Sequence, residues 1–302
     1  MRPGHVVVAG EALVDLVPRP DGALTPALGG GPFNTARTLA RLGQSTSFIG
    51  SVSRDRFGDQ LAAALAADGV HLAAPLRTDR PTSLAMAELA GDGSASYRFY
   101  FTGTSAEGLT PQVALRALPT EVAALHVGSL GLVLEPLAEA VEALVCRVPR
   151  EALVMVDPNM RPSDLHDLAG HTARLTRIFA RADVVKVSDA DLAILSPGQA
   201  PQDAARALLA KGPRLVLLTL GPQGAVAFGA FGATAVAAPQ TPVVDTIGAG
   251  DIFSGAWLAR WLELNPLLHD GEAVREATEF ACRAAALSCT RAGAYPPTRG
   301  EL

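Results

Sequence analysis

Lysine is almost absent from this chain of 302 residues, where only Lys186 and Lys211 occur. A grip on phosphate must therefore come from backbone amides, a metal ion, arginine or one of these two ammonium groups. No basic block or stripe appears and the formal net charge is −5, which argues against a nucleic-acid surface. Cysteine is scarce too. Cys146, Cys282 and Cys289 show neither a Cys-x-x-Cys nor a zinc-ligand spacing, so they read as reduced, mostly core thiols of a cytoplasmic protein. The histidines His5, His71, His126, His166, His171 and His269 likewise form no metal-ligand spacing, and His126 acquires no role. The early apolar run from Val6 to Ala9 is interrupted by Glu11 and Asp15 and does not read as a signal peptide. One uncharged stretch, Leu215 to Val244, is long enough to span a bilayer. Gly221, Pro222, Gly224, Gly229, Gly232, Pro239 and Pro242 break it, which predicts three buried strands joined by turns instead of a membrane span.

What is present fits a soluble globular protein: 49% apolar residues and 18% charged ones, over a length that allows a substantial core. Short apolar runs alternate with helical periodicity. Strands are predicted at Val6–Gly10, Ser47–Gly50, Ala123–Val127, Leu153–Val156, Val184–Val187 and Leu215–Leu220. Helices are predicted after Asn34, after Asp55, and at Glu135–Val145, Asp164–Ala180, Ala190–Leu195, Gln202–Leu209, Ala249–Glu263 and Glu272–Ser288. This alternation implies an α/β fold with a mainly parallel sheet covered on both faces. Between Thr82 and Phe101 the period changes to two, with Gly91-Asp92-Gly93 as a turn between Ser83–Leu89 and Ser96–Phe101. Such a hairpin reads as a lid, while residues 11 to 28 are broken by Pro18, Pro20, Gly22 and Pro26. No repeat or linker is visible, so residues 1–302 are expected to form one domain.

Ligands of an open α/β sheet gather beyond the carboxyl ends of the strands. The polar residues found there are Glu11 and Asp15, Asp157, Asn159 and Arg161, Ser188 and Asp191, Gly221, and the segment Asp245 to Asp251. Gly248 and Gly250 stand where a helical pattern begins, and a helix start with flexible glycines can hold an anion. Asp251 beside such a site is either a residue favoured by the helix dipole or a base that takes a proton from an attacking hydroxyl. Gly248-Ala249-Gly250 does not continue into a dinucleotide fingerprint, since the third glycine position is Phe253. Asp157, Asn159 and Arg161 alternate, so an extended segment would point all three the same way, toward a polyol, unless they form a plain Asp-Pro turn. Gly29 to Asn34 lacks the lysine and hydroxyl of a Walker A loop, and fits a backbone wall against a sugar or a helix cap.

Two motifs far apart resemble the ribokinase-like, or PfkB, carbohydrate kinases, most closely the fructokinases. Gly29-Gly30-Gly31-Pro32-Phe33-Asn34-Thr35-Ala36 with Leu42-Gly43 looks like the sugar-side signature, and Asp245-Thr246-Ile247-Gly248-Ala249-Gly250-Asp251 looks like the catalytic one. The resemblance implies a three-layer α/β/α sandwich with a small β-sheet lid, formed by about 11–28 and 82–103. It implies ATP as phosphoryl donor, Mg²⁺, and Asp251 as base, with the amides of Ala249, Gly250 and Asp251 as an anion hole. Substrate contacts carry over to Asp15, Gly30, Gly31, Asn34, Tyr100, Asn159, Arg161 and Asp251. Nucleotide contacts carry over to Lys186, Ser188, Thr219, Gly221, Gly224, Gly250 and Cys289. Asp191 is implied to order Mg²⁺-bound water, and Asp245 to adjoin a K⁺ site. Ser53, Phe101, Asp191 and Trp257 depart from the family pattern; Phe101 replaces an arginine that would favour an acidic substrate, and Arg98 is a candidate substitute for it.

The expected function is ATP-dependent phosphorylation of a hydroxymethyl group on a small neutral sugar, fructose first. Alternatives are a 2-keto-3-deoxygluconate kinase, a ribokinase or a nucleoside kinase of the same fold, or a non-catalytic sugar-binding regulator. The expected partners are a small sugar and ATP, with no nucleic acid or membrane, and a homodimer through the outer face of the lid.

Overall fold

The computed structural model describes residues 5–19, 21–73, 76–89, 95–160 and 167–302. Its strands are β1 (His5–Ala9), β2 (Leu13–Pro18), β3 (Leu24–Gly29), β4 (Thr46–Ile49), β5 (Val52–Ser53), β6 (His71–Leu72), β7 (Arg77–Thr78), β8 (Leu84–Leu89), β9 (Ala95–Tyr100), β10 (Val122–Gly128), β11 (Leu153–Asp157), β12 (Val184–Ser188), β13 (Leu215–Thr219), β14 (Ala225–Gly229) and β15 (Gly232–Val236). The helices are α1 (Gly31–Arg41), α2 (Arg56–Ala67), α3 (Pro111–Ala117), α4 (Leu137–Arg147), α5 (Leu168–Phe179), α6 (Asp189–Leu195), α7 (Pro201–Leu208), α8 (Ala249–Leu264) and α9 (Gly271–Ser288).

The large sheet has the order β15-β14-β13-β12-β11-β10-β1-β4-β6, parallel from β13 to β6 and antiparallel at the β14 and β15 edge. Alternate strand residues feed two cores. Val6, Val8, Met155 and Val184 pack with Phe33 and Leu39 of α1, Trp257 of α8 and Ala277 of α9. Val7, Ala9, Val127 and Val156 pack with Leu137 and Val141 of α4 and Ile178 of α5. Both faces are covered, which is why these strands read as unbroken apolar runs and not as alternating ones. Chain order reverses between β1 and β10, so the residues just past those two strands flank a crevice at the switch point.

The smaller sheet, ordered β3-β2-β8-β9, is the lid. The prolines that break up residues 11 to 28 in the sequence do not prevent strands there. Pro18 ends β2, and Pro26 lies in β3, an edge strand with no second neighbour to serve. The hairpin pairing of β8 with β9 is antiparallel, and its expected turn at residues 91–93 lies outside the described residues. Three strands do occupy the uncharged stretch after Leu215, but β15 is mostly exposed, because it forms the sheet edge. Helix α3 was not foreseen. It starts with Pro111 behind a Thr110 cap, whose hydroxyl accepts from Val113 N at 3.4 Å.

Two of the family departures have structural explanations. Ser53 is buried, its hydroxyl accepts from Asp55 N at 3.0 Å, and its carbonyl receives two bonds from Arg77. Trp257 is fully buried, stacks on Trp261 at 4.9 Å and donates from Nε1 to Thr278 Oγ1 at 3.3 Å. Replacing Trp257 by alanine removes that volume from the contact between α8 and α9. The expected loss is about 3–5 kcal/mol of unfolding free energy, read from urea melts, and a loss under about 1 kcal/mol would mean the site collapses without a cavity.

Candidate active site

Helix α8 is buried around its circumference from Ile252 to Ala259, so its first turn is held rigidly by the core. Gly248 sits ahead of it at φ 75, and a Cβ there would come within 2.5 Å of Ala294 Cβ, so the turn requires glycine. The helical ladder begins at Ile252 N donating to Gly248 O, and no side chain caps the start. Ala249 N is already engaged with Thr246 O at 3.2 Å, so of the three expected anion-hole amides Ala249 is the one committed inside its own turn. The uncapped N-terminus retains its positive dipole end.

Asp251 lies in this first turn. Asn34 Nδ2 donates to its Oδ2 at 2.9 Å, and Thr35 Oγ1 donates to its main-chain oxygen at 3.2 Å. The amide of Asn34 is thereby oriented, and its other atom, Oδ1, is buried with no hydrogen-bond partner among the described residues.

Two cavities meet at the start of α8. One, of about 260 Å³, lies between the lid and the strand ends and is lined by Glu11, Asp15, Asn34, Ser129 and Asp251 on its polar side. Leu13, Leu130 and Phe99 form its apolar side. The other, of about 610 Å³, is bounded by the β13–β14 turn with Gly221 and Gly224, by Val243 and Phe253, and by Ala285 and Cys289 of the α9 end. Asn159, Lys186, Thr246, Ala249 and Gly250 belong to both.

Beneath Gly250 is a buried polar layer on an otherwise apolar sheet face. Lys186 Nζ lies 3.0 Å from Asp157 Oδ2, and Ser254 Oγ donates to the same oxygen at 3.0 Å. A Cβ at position 250 would stand 3.1 Å from Lys186 Nζ, so glycine there lets the ammonium reach the helix start. Burial pushes the Asp157 carboxyl up to about 6 against the pull of Lys186. For Lys186 burial acts downward, but Asp157, Asp191 and Asp251 together raise it above its ordinary value, so it stays charged. His126 is in the same region with both ring nitrogens unpartnered among the described residues; burial, with Lys186 adding to it, lowers its pKa to about 3.

Most of the sequence-expected residues come together here. Asp15, Gly30, Gly31, Asn34, Asn159 and Asp251 line the lid-side cavity, and Ser188, Thr219, Gly221, Gly224 and Cys289 line the larger one. Others do not. Tyr100 is 48% exposed and lines neither cavity; Phe99 supplies the lid wall, because neighbouring strand residues face opposite ways. The Asp157–Asn159 segment is not extended, since Asn159 has φ 41, and Asp157, the last residue of β11, faces Lys186 and not the lid-side cavity. Arg161 lies outside the described residues. Asp191 is buried in a capping box, accepting from Ser188 N and Oγ at 2.7 Å each and from Met160 N at 2.6 Å, while Asp189 lines the cavity in its place. Asp245 accepts from Ile247 N at 3.0 Å and from Gly293 N at 2.8 Å, which spends its oxygens on the backbone. Ser129, Leu130 and Phe99 were not among the expected contacts, and Glu11, which stands at a strand end in the sequence, had no expected role. The strand of Val127 runs one residue further, to Gly128, which puts Ser129 at a strand end, where ligands of such a sheet gather.

Residues 4–299 match the sequence profile of the pfkB family carbohydrate kinases. The chain belongs to that family. The pfkB family chain is 36% identical over 268 residues to a fructokinase of Rhizobium leguminosarum bv. trifolii, an alignment covering 87% of this chain and 81% of the relative. Its fold superposes on aminoimidazole riboside kinase from Salmonella enterica, solved with aminoimidazole riboside and an ATP analog, with TM-score 0.87, 28% identity and 98% of each chain covered. It also superposes on the fructokinase of Vibrio cholerae O395 in its form with fructose, ADP and calcium bound, with TM-score 0.86 and 27% identity over 99% of this chain and 97% of that one.

Two outcomes follow from the polar layer of this pfkB family chain. Asp157→Ala strands a buried ammonium and is expected to cost about 3–5 kcal/mol, whereas a urea midpoint unchanged from wild type would show that Lys186 finds another counter-charge. His126 has a depressed pKa, so between pH 6.5 and about 3 the unfolded chain takes up a proton that the folded one refuses. Stability therefore falls as pH drops through this window. A His126→Leu variant should lose less stability than wild type between about pH 7 and pH 5, and parallel pH curves for the two proteins would contradict this.

Proposed function

We propose that this pfkB family chain transfers the terminal phosphoryl group of ATP to a hydroxymethyl group of fructose. The observation that carries the reading is the position of Asp251, in the first turn of α8 where the two cavities meet, hydrogen-bonded to Asn34. A sugar in the lid-side cavity would meet Asn34, the carboxylate of Asp15 and the amide of Asn159, with its C–H face against Leu13, Leu130 and Phe99. A nucleotide fits the larger cavity, whose apolar walls suit a base and whose inner end carries Lys186 and the N-terminus of α8 for the phosphates. That the similar Vibrio fructokinase was solved with fructose and ADP supports the assignment of the two ligands.

In this reading Asp251 accepts the proton of the attacking hydroxyl, and the amides of Gly250 and Asp251 with Lys186 hold the transferring phosphoryl oxygens. The lid strands β2 and β9 exclude water with Leu13 and Phe99. Mg²⁺ would supply charge neutralisation on the nucleotide phosphates. Among the described residues no three His, Cys, Asp or Glu side chains converge on a metal position, so the ion would be held mainly by those phosphates and by water, with Asp189 as the carboxylate that lines the larger cavity. A K⁺ ion near Asp245 would rely on main-chain carbonyls of the 245 and 289–293 loops.

A neutral substrate is favoured over a ketodeoxy acid because Glu11, Asp15 and Asp251 all line the sugar cavity, while Phe101 stacks on Phe99 at 5.3 Å where an arginine would bind a carboxylate. The likeness to aminoimidazole riboside kinase keeps a riboside as the second substrate reading. On the same proposal, residues 1–302 act as one cytoplasmic kinase domain, and the exposed lid side chains Leu24 and Tyr100 are where a second copy would pack. A coupled assay with Mg·ATP over fructose, ribose, 2-keto-3-deoxygluconate and adenosine should give its highest kcat/KM with fructose; binding by calorimetry without turnover on any of them would favour a regulator. Asp251→Asn should keep its fold and lower kcat by at least about a hundredfold, the scale of lost base catalysis, and activity within about tenfold of wild type would remove Asp251 as base.

A further inference from the structure

Glu11 is buried at 2% exposure, yet it contributes to the wall of the sugar cavity and has no part in the transfer described above. Its Oε1 accepts from Gly31 N at 3.1 Å and its Oε2 from Gly131 N at 2.9 Å, and the Ser129 hydroxyl also bonds to it. These donors come from two separate parts of the fold. Gly31 is the first residue of α1, and Ser129 and Gly131 form the 3₁₀ turn after β10. The carboxylate thus bridges the two sides of the switch-point crevice between β1 and β10.

What α1 carries from there is the catalytic geometry. Its first turn is tethered at Gly31, and one turn on, Asn34 and Thr35 hold Asp251 by its carboxylate and its main-chain oxygen. The space at this tether is narrow. A Cβ on Gly31 would stand 3.2 Å from Asp251 Oδ1 and 3.0 Å from Ser129 Cβ. Ser129 is itself in the left-handed region at φ 55, a conformation that persists only when surrounding contacts over-determine it. Burial raises the Glu11 carboxyl to about 7, against the donors that favour its charged form and with Asp251 adding to the rise. A leucine or methionine would fill the same volume without that desolvation cost, but it could not hold two main-chain N–H groups at once.

We propose that Glu11 is a positioning residue for phosphoryl transfer: it pins the N-terminus of α1 to the turn after β10, and through Asn34 it fixes the carboxylate of Asp251. This rests on Asp251 being the base. The nucleotide cavity includes neither Glu11 nor any of its three donors, so the effect should be confined to the sugar side.

The test is Glu11→Gln, which keeps the shape but turns an –NH₂ toward one of the two donors. It is expected to lower kcat at least about fivefold, and up to about a hundredfold, the range for a displaced catalytic group, with the KM for ATP within about threefold of wild type. In an Asp251→Asn background, where there is no base left to position, the same change should lower the residual turnover by less than about threefold. A loss under about fivefold in the single variant, or its full recurrence in the Asp251→Asn background, overturns the proposal. Should Glu11→Gln lack the wild-type circular dichroism or a cooperative melt, Glu11→Asp, one methylene shorter and still charged, is measured against the same thresholds. An Asp251→Asn enzyme that remains active overturns the base assignment and this proposal together, whereas failure of the Glu11 variants alone leaves the base in place.

Discussion

One hydrogen bond, from Asn34 to the carboxylate of Asp251, joins segments 217 positions apart in the chain. It brings the start of α1 against the start of α8. Both helices are packed into the same core, with Phe33 and Leu39 on one and Trp257 on the other. The bond is thus set by rigid elements, and it holds both Asn34 and Asp251 in the wall of the lid-side cavity. A carboxylate beside an uncapped helix N-terminus is held well by the dipole at rest, yet it faces the place an anion would occupy. The arrangement has a chemical purpose if the carboxylate gains a proton as the phosphoryl moves.

The cost of this site is carried by the sheet beneath it. Asp157, Lys186 and Ser254 form a polar layer in a face otherwise made of valine, leucine and methionine. Buried ion pairs seldom repay their desolvation, so this one is better explained by what it presents. It places a single charged ammonium under Gly250, between the cavities, in a chain with only two lysines. His126 stays neutral beside it, since a second positive charge there would be both desolvated and repelled. Glu11 is the matching buried polar group on the sugar side, where a carboxyl is held by two main-chain amides and the Ser129 hydroxyl.

Much of the architecture was legible in the sequence because its signals are local. The apolar runs at Val6–Ala9, Leu153–Val156 and Leu215–Thr219 are strands because both faces of the sheet are covered, and Gly248 marks a helix start whose turn requires glycine. The misreadings have physical causes as well. Pro26 looked like a breaker because a sequence does not say which strand lies at an edge. Asp157, Asn159 and Arg161 looked like one recognition face because alternation was assumed, while Asp157 ends β11 on the face that carries Lys186 and Asn159 turns left-handed beyond it. Asp191 looked like a metal-side carboxylate, but its short side chain closes on the turn of its own helix.

The sequence by itself determined the family, the α/β alternation, and the residue types available for phosphate and sugar. Those depend on short-range patterning and on two motifs whose spacing along the chain can be read directly. Only the tertiary structure decided which carboxylates face a cavity and which are spent on backbone amides. Asp15 and Asp251 are at the cavity, Asp191 and Asp245 are committed to main-chain donors, and Glu11 does both. A carboxylate reads the same in all five places, and what it can do depends on donors brought to it by strands and helices far away in the chain.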